Sequence, residues 1–452
     1  MDLDTKDWKL TVGLEVHIQL STKSKMFCKC PSVYGAPPNS LTCPVCLGLP
    51  GALPVINQEA VNMAIKLGHA LNFTINQNNE FSRKNYYYPD LPKGYQITQF
   101  DKPICENGRI NIINKDTSHT IDITRAHMEE DSGKLIHHSD SFSCIDLNRA
   151  GAPLIEIVSE PQIHSSEDAR LYLEKLKQTV QYINISDCDM EKGNLRVDIN
   201  VSVSKKGSSK LGIRREIKNL NSFKSVQKAI NYEYKEQVRL IESGQKIKQS
   251  TLSWDEKNNK TKVLRKKEDA HDYRYFPEPD LPKLKLSNKN IDCIKEQLPE
   301  LPDYKFDRFL KSYKLKEQDL NIIVSDLDLA NYFESLVKLT DLPQVTANWI
   351  LVEMLRYTKE KNIQIDSFPI SQERMAELII LYSNNELTNI NAKKIFNFML
   401  TSDKRPGELM IEKGLKVVND DNFIEDAVKN VFDKNPNEFT RLKSGELKLV
   451  GF

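Results

Sequence analysis

The sequence predicts an α+β domain followed by an all-helical region, and the change of pattern along the chain supports this fold class. Short alternating strands with loops rich in Pro, Gly and Asn dominate residues 1–292. Apolar residues at helical spacing dominate the rest of the chain. The stretches EQLPELPDYKF at 296–306 and TSDKRPGEL at 401–409 interrupt these patterns. We therefore expect domains at residues 1–292, 293–402 and 403–452.

The opening strand, LTVGLEVHIQL at 10–20, alternates perfectly between apolar and polar residues. This period of two predicts a strand with one buried face, formed by Val12, Leu14, Val16, Ile18 and Leu20. Glu15 and His17 are neighbours on the opposite face, about 7 Å apart by the usual rise per residue. A plain solvent-facing surface would not require this pair.

The remaining elements follow from the same two periodicities. Further strands are predicted at RINIINKD, HTIDITRAHM, PLIEIVSEP and NLRVDINVSVS. Helices are predicted over 58–71, 165–183, 222–242, 317–340, 342–360, 371–383, 388–401 and 422–432. The second helix begins at Ser165, and Asp168 three residues later makes a variant of the capping box.

The composition excludes a membrane-spanning protein and gives no overall attraction for nucleic acid. The 452 residues are 39% apolar and 28% charged, with a net charge of +1. The apolar runs are far too short to span a bilayer, and any RNA contact must come from local basic patches. The N-terminus MDLDTKDWKL has no apolar or Arg-rich run, so we expect no secretory signal or transit peptide and a cytosolic location.

Four of the eight cysteines are clustered in CKCPSVYGAPPNSLTCPVC. In a cytosolic chain this cluster favours a metal site over disulfides, and four thiolates complete a closed zinc site. The predicted zinc ligands are Cys28, Cys30, Cys43 and Cys46. Four free thiols remain the alternative. The scattered cysteines are expected to be buried apolar residues, namely Cys105, Cys144, Cys188 and Cys293.

Acidic residues and histidines accumulate on the polar faces of several predicted strands. NLRVDINVSV carries Arg196, Asp198 and Asn200 opposite its apolar face. Further candidates are His127, Glu129, Glu130, Asp131 and Glu156. Carboxylates spread over several strands are how sites for hard cations such as Mg²⁺ are built. The open alternative is that they are solvated or pair with Arg125, Arg149 and Arg196.

Phosphate-binding loops are excluded, but two stretches suit contact with nucleotides or RNA. Neither G-x-x-x-x-G-K-[ST] nor G-x-G-x-x-G occurs, which excludes a P-loop kinase. SRKNYYYPDLPKGYQITQFD interleaves basic and aromatic residues, and KKGSSKLGIRREIKNLNSFKS is the clearest basic patch. A buried Tyr-rich loop and a solvated basic face are the alternatives. The candidate cofactor-binding residues are Arg83, Lys84, Tyr86, Tyr88, Arg196 and Asn200.

These motifs resemble a known family. VGLEVHIQL, RKNYYYPDLPKGYQITQFD, HMEEDSGK, DLNRAGAPLIEIVSEP, EIKNLNSFKSVQKAINYE and DYRYFPEPDLP are similar to segments of the B subunit of the tRNA-dependent Asp/Glu amidotransferase. The resemblance covers nearly the whole chain. It implies a mostly antiparallel, cradle-like catalytic domain, a helical domain, and a small helical tail domain like that of tRNA-associated proteins.

The resemblance also implies a reaction. The side-chain carboxylate of Glu-tRNA(Gln) and/or Asp-tRNA(Asn) would be phosphorylated by ATP, and ammonia would then displace the phosphate. Phosphorylation supplies the leaving group that a carboxylate lacks, and Mg²⁺ neutralises charge during the transfer. By the resemblance, Lys93 neutralises phosphate. The implied magnesium shell is Glu15, His17, Glu129, Glu130 and Asp198.

The resemblance implies partners as well. An amidase-like A subunit would deliver ammonia, because no glutaminase set is recognisable in this sequence, and a small C subunit would complete a heterotrimer. Zinc would support folding and not catalysis. No inserted synthetase-like module is found, which favours the bacterial or organellar type. The chain ends at SGELKLVGF, where members usually continue, so we expect an incomplete tail domain.

Two other functions stay open from the sequence. One is an ATP-dependent carboxylate-amine ligase acting on a free amino acid, which would not need aminoacylated tRNA to hydrolyse ATP. The other is a noncatalytic, zinc-stabilised tRNA-binding subunit, which would explain the cysteines and the basic patch but not the acids on the strand faces.

Overall fold

The computed structural model divides the chain into two compact units, Met1–Tyr304 and Lys305–Phe452. It describes residues 6–115, 117–137, 142–266, 272–417, 421–446 and 448. Within this part of the chain, every helix is too short or too polar to cross a membrane.

The first unit contains all the described strands. They are β1 (Trp8–Gln19), β2 (Thr74–Ile75), β3 (Asn78–Asn79), β4 (Phe81–Asn85), β5 (Tyr95–Gln99), β6 (Cys105–Asn114), β7 (Thr117–Glu130), β8 (Lys134–His137), β9 (Ser143–Asp146), β10 (Pro153–Ser159), β11 (Leu195–Lys205), β12 (Arg215–Lys218), β13 (Ser250–Asp255), β14 (Lys260–Lys266), β15 (Phe276–Pro277) and β16 (Leu284–Lys285). The five strands predicted from alternation correspond to β1, β6, β7, β10 and β11.

Twelve strands form one sheet, in the order β14-β13-β12-β11-β1-β10-β7-β5-β4-β15, with β6 also on β7 and β2 on β6. Among the described pairings only β12 with β13 is parallel. β5 and β6 follow one another along the same edge of β7. Two small ladders, β8 with β9 and β3 with β16, lie outside this sheet. The predicted α+β class with a mostly antiparallel sheet is confirmed.

Strand β1 lies in the middle of the sheet, paired with β10 on one side and β11 on the other. Its apolar residues Val12, Leu14, Val16 and Ile18 are at most 1% exposed. The alternation in the sequence therefore produces one fully buried face and leaves the opposite face for polar residues.

Three helices cover the buried face of the sheet and supply the other half of its core. They are α1 (Gln58–Ala70), α2 (Ser166–Tyr182) and α3 (Phe223–Glu242). Each begins at a polar cap, and the predicted cap of α2 is present, because Ser165 Oγ accepts a hydrogen bond from Asp168 N at 2.9 Å. The reciprocal half of the box is not formed, since Asp168 Oδ1 accepts from Asn114 Nδ2 at 2.7 Å.

Two more helices follow: α4 (Asn288–Glu296) lies in the first unit, and α5 (Pro302–Tyr313) begins at the end of that unit and lies mostly in the second, whose core includes Phe309. The predicted domain border at residue 292 falls inside α4. Ile294 belongs to the core of the first unit, and Leu298 and Leu301 pack against that core. This apolar contact explains why the compact unit extends beyond the change of pattern in the sequence.

The second unit is helical around its own core. Its helices are α6 (Glu317–Ile323), α7 (Leu327–Thr340), α8 (Pro343–Trp349), α9 (Leu355–Lys361), α10 (Gln372–Ser383), α11 (Asn389–Met399), α12 (Pro406–Glu412), α13 (Asp421–Lys434) and α14 (Pro436–Lys443), with a π-helical turn at Ile350–Met354 and a 3₁₀ turn at Ile365–Ser367.

The helices predicted in this region agree with the structure, with two refinements. The predicted helix 317–340 is two helices, because Asp326 caps the start of α7 by accepting from Leu329 N at 2.8 Å. The predicted helix 342–360 contains the π turn. Leu409 and Met410 of α12 belong to the second core, so the predicted tail begins inside this unit. Of that tail, residues 418–420, 447 and 449–452 lie outside the described residues.

The central strand supplies the first testable prediction. Replacing the buried Leu14 by Ala should lower the free energy of unfolding by about 2–5 kcal/mol, because it leaves a cavity in a packed core. The same exchange at Leu53, which is 62% exposed, should change it by less than about 0.5 kcal/mol. Urea unfolding of both variants measures the difference, and equal losses would contradict the burial assigned to β1.

Candidate active site

The polar faces of five neighbouring strands bring the acidic and basic residues of the first unit together. In the register of the sheet, Glu15 lies opposite Asp198 of β11. His17 lies opposite Glu156 of β10 on one side and Arg196 of β11 on the other. Since side chains two apart share a face, one polar surface runs across β7, β10, β1, β11 and β12.

The first cluster on this surface, here called the histidine trio, consists of His17, Glu129 and Glu156. Their potential ligand atoms all lie within 4.8 Å of one another. His17 Nε2 is 3.3 Å from Glu156 Oε2 and 3.7 Å from Glu129 Oε1. His127 Nε2 also lies 3.4 Å from Glu156 Oε2.

The charges of this cluster favour a cation at its centre. Burial would lower the pKa of His17, but the hydrogen bond and the charge of Glu156, with Glu129 nearby, raise it to about 9. Burial would raise the pKa of Glu156, but His127 and His17 lower it well below its usual value. Glu156 thus stays ionised and attracts positive charge.

The second cluster, here called the acid trio, consists of Glu15, Asp198 and Glu216. One carboxylate oxygen of each lies within 4.8 Å of the others. Asn200 Nδ2 donates to Glu15 Oε1 at 2.8 Å and fixes that carboxylate. Lys218 bonds to Asp198 and lies 2.8 Å from Glu216 Oε1. Burial, followed by the charge of Glu156, raises the pKa of Glu15 despite the hydrogen bond from Asn200.

A cavity of about 450 Å³, here called the main cavity, opens beside both trios. His17, Glu129 and Asp198 line it together with three cationic residues, Lys84, Arg196 and Lys218. Its volume is within the range of about 300–1,000 Å³ typical of ligand sites. The main cavity can therefore hold an anionic ligand between acids that suit a metal and cations that suit a phosphate.

Two cationic side chains that line the main cavity have the following contacts. Arg196 donates from Nη2 to Asp131 Oδ2 at 2.9 Å, while its buried Nε has no hydrogen-bond partner among the described residues. Lys84 Nζ lies 5.1 Å from the ring centre of Tyr273. Asp131 is itself held by Arg149, whose Nε lies 3.3 Å from Asp131 Oδ2.

The structure brings some predicted residues into this site and places others elsewhere. Glu130 points away from the main cavity, because neighbouring residues of a strand face opposite sides. It bonds to Lys93 and accepts from Ile97 N at 3.0 Å. Lys93 is therefore engaged by a buried carboxylate.

Only some of the predicted cofactor-binding residues lie at the main cavity. Lys84, Tyr86 and Arg196 line the main cavity, and Asn200 holds Glu15. Arg83 does not line it, since it pairs with Glu278 at 2.7 Å and with Asp280 at 3.0 Å. Tyr88 does not line it either and is 58% exposed.

Three residues of the site are absent from the predicted magnesium shell and from the predicted cofactor-binding residues. Glu156 is a candidate acid that the predicted metal shell omits, although its strand alternates as clearly as the first one does. Glu216 and Lys218 belong to β12, a strand of four residues inside what the sequence indicates as a basic patch. Only the register of β12 against β11 brings Glu216 opposite Asn200.

The four clustered cysteines converge in a loop, residues 28–46, here called the cysteine loop. The sulfurs of Cys28, Cys30, Cys43 and Cys46 all lie within 4.8 Å of one another. Hydrogen bonding from Cys28 lowers the pKa of Cys46 to about 4, against the effect of burial, and Lys25 adds to this. The geometry thus favours a thiolate, the form that binds metal.

The other cysteines only partly follow the prediction of burial. Cys105 and Cys188 are buried, as expected. Cys144 and Cys293 are exposed, so the prediction is wrong for these two. Cys144 lies on the two-stranded ladder of β8 and β9, which has no place in the main sheet, and Cys293 lies on α4.

Comparison with known proteins agrees with the resemblance in the motifs. A family model described as GatB/GatE catalytic domain matches residues 10–292, and one described as GatB domain matches residues 331–452. The aspartyl/glutamyl-tRNA(Asn/Gln) amidotransferase B subunit from Persephonella marina is 48% identical over 447 residues, which cover 99% of this chain and 94% of the relative.

Two further curated relatives carry the same description. The protein from Thermodesulfovibrio yellowstonii is 46% identical, with 98% of this chain and 94% of the relative covered. The protein from Prosthecochloris aestuarii is 45% identical, with 98% and 92% covered. The chain therefore belongs to the family of aspartyl/glutamyl-tRNA(Asn/Gln) amidotransferase B subunits.

Proposed function

We propose that this chain is the carboxylate-activating subunit of a glutamine-dependent amidotransferase. It phosphorylates the side-chain carboxylate of Glu-tRNA(Gln) and/or Asp-tRNA(Asn) with ATP and converts the product to the amide. The observation that carries this proposal is the pair of trios on adjacent strands beside a cavity lined by the cationic residues Lys84, Arg196 and Lys218. Metal-holding acids next to phosphate-binding cations are what phosphoryl transfer to a carboxylate needs.

The residues of both trios fit divalent cations. The acid trio offers only oxygen atoms, which suits Mg²⁺, and the crowding of its carboxylates calls for positive charge. The histidine trio offers two carboxylates and one imidazole and would hold a second cation. When bound, Mg²⁺ neutralises the charge that develops on the transferred phosphoryl group.

The proposed reaction involves the substrate carboxylate, ATP and the cationic side chains of the main cavity. A carboxylate oxygen of the aminoacyl side chain attacks the γ-phosphorus of ATP, and the bond to the bridging oxygen breaks, releasing ADP. The Arg196 guanidinium and the Lys84 ammonium, which line the main cavity, would bind the acyl phosphate so formed. Ammonia then attacks the acyl carbon, phosphate leaves, and the nitrogen loses one proton to give the amide.

In this proposal, partner subunits supply the ammonia and complete the enzyme complex. An amidase-like A subunit hydrolyses glutamine and delivers ammonia, and a small C subunit joins the two chains in a cytoplasmic heterotrimer. The names of the curated relatives, which call each a subunit, support the existence of partner chains.

The acid trio gives a test of the mechanism. Glu15→Gln should lower aminoacyl-tRNA-dependent ATP hydrolysis by the reconstituted complex by roughly 100-fold or more, since even residues that only support metal ligands cost about 10–100-fold. The dissociation constant for tRNA should stay unchanged, because phosphate and base contacts lie elsewhere. The matched exchange at exposed Glu191 should leave both measurements unchanged. Full activity of Glu15→Gln would refute a metal site at this position.

Division of labour between subunits gives another test. The purified chain alone should release no ammonia from glutamine, because its sequence contains no recognisable glutaminase set. The same preparation should hydrolyse ATP in the presence of Glu-tRNA(Gln) or Asp-tRNA(Asn) and not with free glutamate or aspartate. Glutaminase activity without a partner, or activation of the free amino acid, would disprove the division proposed here.

We also propose that the cysteine loop binds one zinc ion in a closed tetrahedral site. The convergence of the sulfurs and the depressed pKa of Cys46 support it. Lys25, which is fully buried, donates from Nζ to Leu41 O at 2.8 Å and lies 3.6 Å from Cys46 Sγ. A buried ammonium beside an excess of thiolate charge is well placed to offset it.

Elemental analysis tests the zinc proposal. The purified chain should contain about one zinc ion per molecule, and Cys43→Ser should lose most of it together with thermal stability. Cys144→Ser, the same exchange at an exposed cysteine outside the cluster, should keep its zinc. Equal zinc content in the two variants would show that the cluster does not hold the metal.

A further inference from the structure

An ion pair on the core side of the sheet, opposite the polar surface, takes no part in the proposed chemistry. It joins β12 to α3, with Arg215 Nη1 3.2 Å from Glu233 Oε1. Glu233 is fully buried, and the side chain of Arg215 is 16% exposed. Apolar residues of similar size in place of a buried ion pair often give equal or greater stability. The pair therefore calls for an explanation other than stability.

The carboxylate of Glu233 is linked to several strands at once. Besides Arg215, its Oε1 accepts a hydrogen bond from Gln237 Nε2 at 3.0 Å, and its Oε2 accepts one from Thr261 Oγ1 of β14 at 3.3 Å. Gln237 Nε2 also donates to Val201 O of β11 at 3.1 Å. Burial raises the pKa of Glu233, and Gln237 and Arg215 oppose this rise. One residue of α3 thus connects β11, β12 and β14.

These contacts meet next to a member of the acid trio. Val201 lies opposite Arg215 in the pairing of β11 with β12. The next pair along the two strands is Asn200 with Glu216. Since neighbouring side chains of a strand face opposite sides, Arg215 on the core side places Glu216 on the polar side. There Thr251 of β13, which lies opposite Glu216, donates to Glu216 Oε2 at 2.8 Å.

Apolar burial alone does not fix β12 in this register. The strand has four residues, and its core-facing apolar residue is Ile217, which is fully buried. A shift of two residues along β11 would keep Ile217 on the core side, because side chains alternate with a period of two. The same shift would move Arg215 about 7 Å along the strand and away from Glu233. The ion pair therefore excludes a register that apolar burial permits.

We propose that Glu233 is a positioning residue for the acid trio, on whose metal-binding role in the proposed function this inference rests. Through Arg215 it holds β12 in the register that brings Glu216 to Glu15 and Asp198. Buried polar and ionic groups that select one register are well attested in other folds. Loss of the pair would then reduce the affinity of the acid trio for a divalent cation more than it reduces the stability of the fold.

Metal binding at constant stability tests this role. The double exchange Arg215→Met with Glu233→Met removes both charges and keeps long side chains, so the temperature of unfolding should not fall. Calorimetry with Mn²⁺, which takes the same oxygen ligands as Mg²⁺, should show binding at the acid trio of the full chain weakened by about tenfold. Glu15→Gln, which removes a proposed ligand, identifies the part of the titration that belongs to the acid trio.

A matched control and a local measurement separate positioning from general support of the fold. Arg308 and Glu334 of the second unit form an ion pair at 2.7 Å, and the same double exchange there should leave Mn²⁺ binding unchanged. Hydrogen exchange at the amides of β12 should become faster without the pair of Arg215 and Glu233, whereas the amides of β1 should stay protected. Should that double variant not fold, Glu233→Gln, which removes only the charge, should show the same two effects.

Each other outcome has a distinct meaning. Unchanged Mn²⁺ binding and unchanged exchange of β12 without the pair would overturn the positioning role, although the proposed function would stand. Faster exchange throughout the sheet would make the pair a general support of the fold and would overturn it as well. If the unchanged protein and Glu15→Gln bind Mn²⁺ equally, the acid trio holds no metal, and the proposed function itself fails.

Discussion

The register of β1 against β10 and β11 is the constraint on which the rest of the first unit depends. Because side chains alternate along a strand, a slip of one residue would turn Glu15 and His17 into the core and expose Leu14 and Val16. Each exposed residue of this kind costs about 1.5–3 kcal/mol. The helices behind the sheet therefore fix the register, and the register in turn places each member of the two trios on adjacent strands.

The two trios place several negative charges close together, which lowers the stability of the fold. Neighbouring cationic side chains reduce that loss. Lys218 neutralises part of the acid trio, and Arg149 and Arg196 share Asp131 at the edge of the main cavity. Arg149 directly follows Asn148, which is hydrogen-bonded to the cysteine loop: Leu41 N donates to Asn148 Oδ1 at 2.8 Å. The cysteine loop is thus connected through a few contacts to Asp131, which orients Arg196. A structural metal in that loop would therefore support activity without taking part in the chemistry.

The sequence alone predicts those strands, helix starts and polar faces that a local periodicity determines. Strict alternation predicts β1 and β11 and places Glu15 and His17 on the polar face of the first strand and Asp198 on the polar face of the second, and Ser165 marks the start of α2. It does not predict which residues meet when that depends on the register between strands distant in the sequence. Nothing local indicates that Glu216 of the short strand β12 completes the acid trio. Of the adjacent pair Glu129 and Glu130, alternation shows only that one faces the site, and the pairing of β7 with β10 shows that it is Glu129.

The central claim is that the acid trio and the histidine trio hold cations beside the bound triphosphate. Anomalous diffraction from crystals soaked with Mn²⁺ and a nonhydrolysable ATP analogue tests it most directly, because Mn²⁺ takes the same oxygen ligands as Mg²⁺ and is located without reference to activity. The account predicts a peak coordinated by Glu15, Asp198 and Glu216, with a second at His17, Glu129 and Glu156. Peaks elsewhere in the unit, or an analogue bound with no peak at either trio, would contradict it.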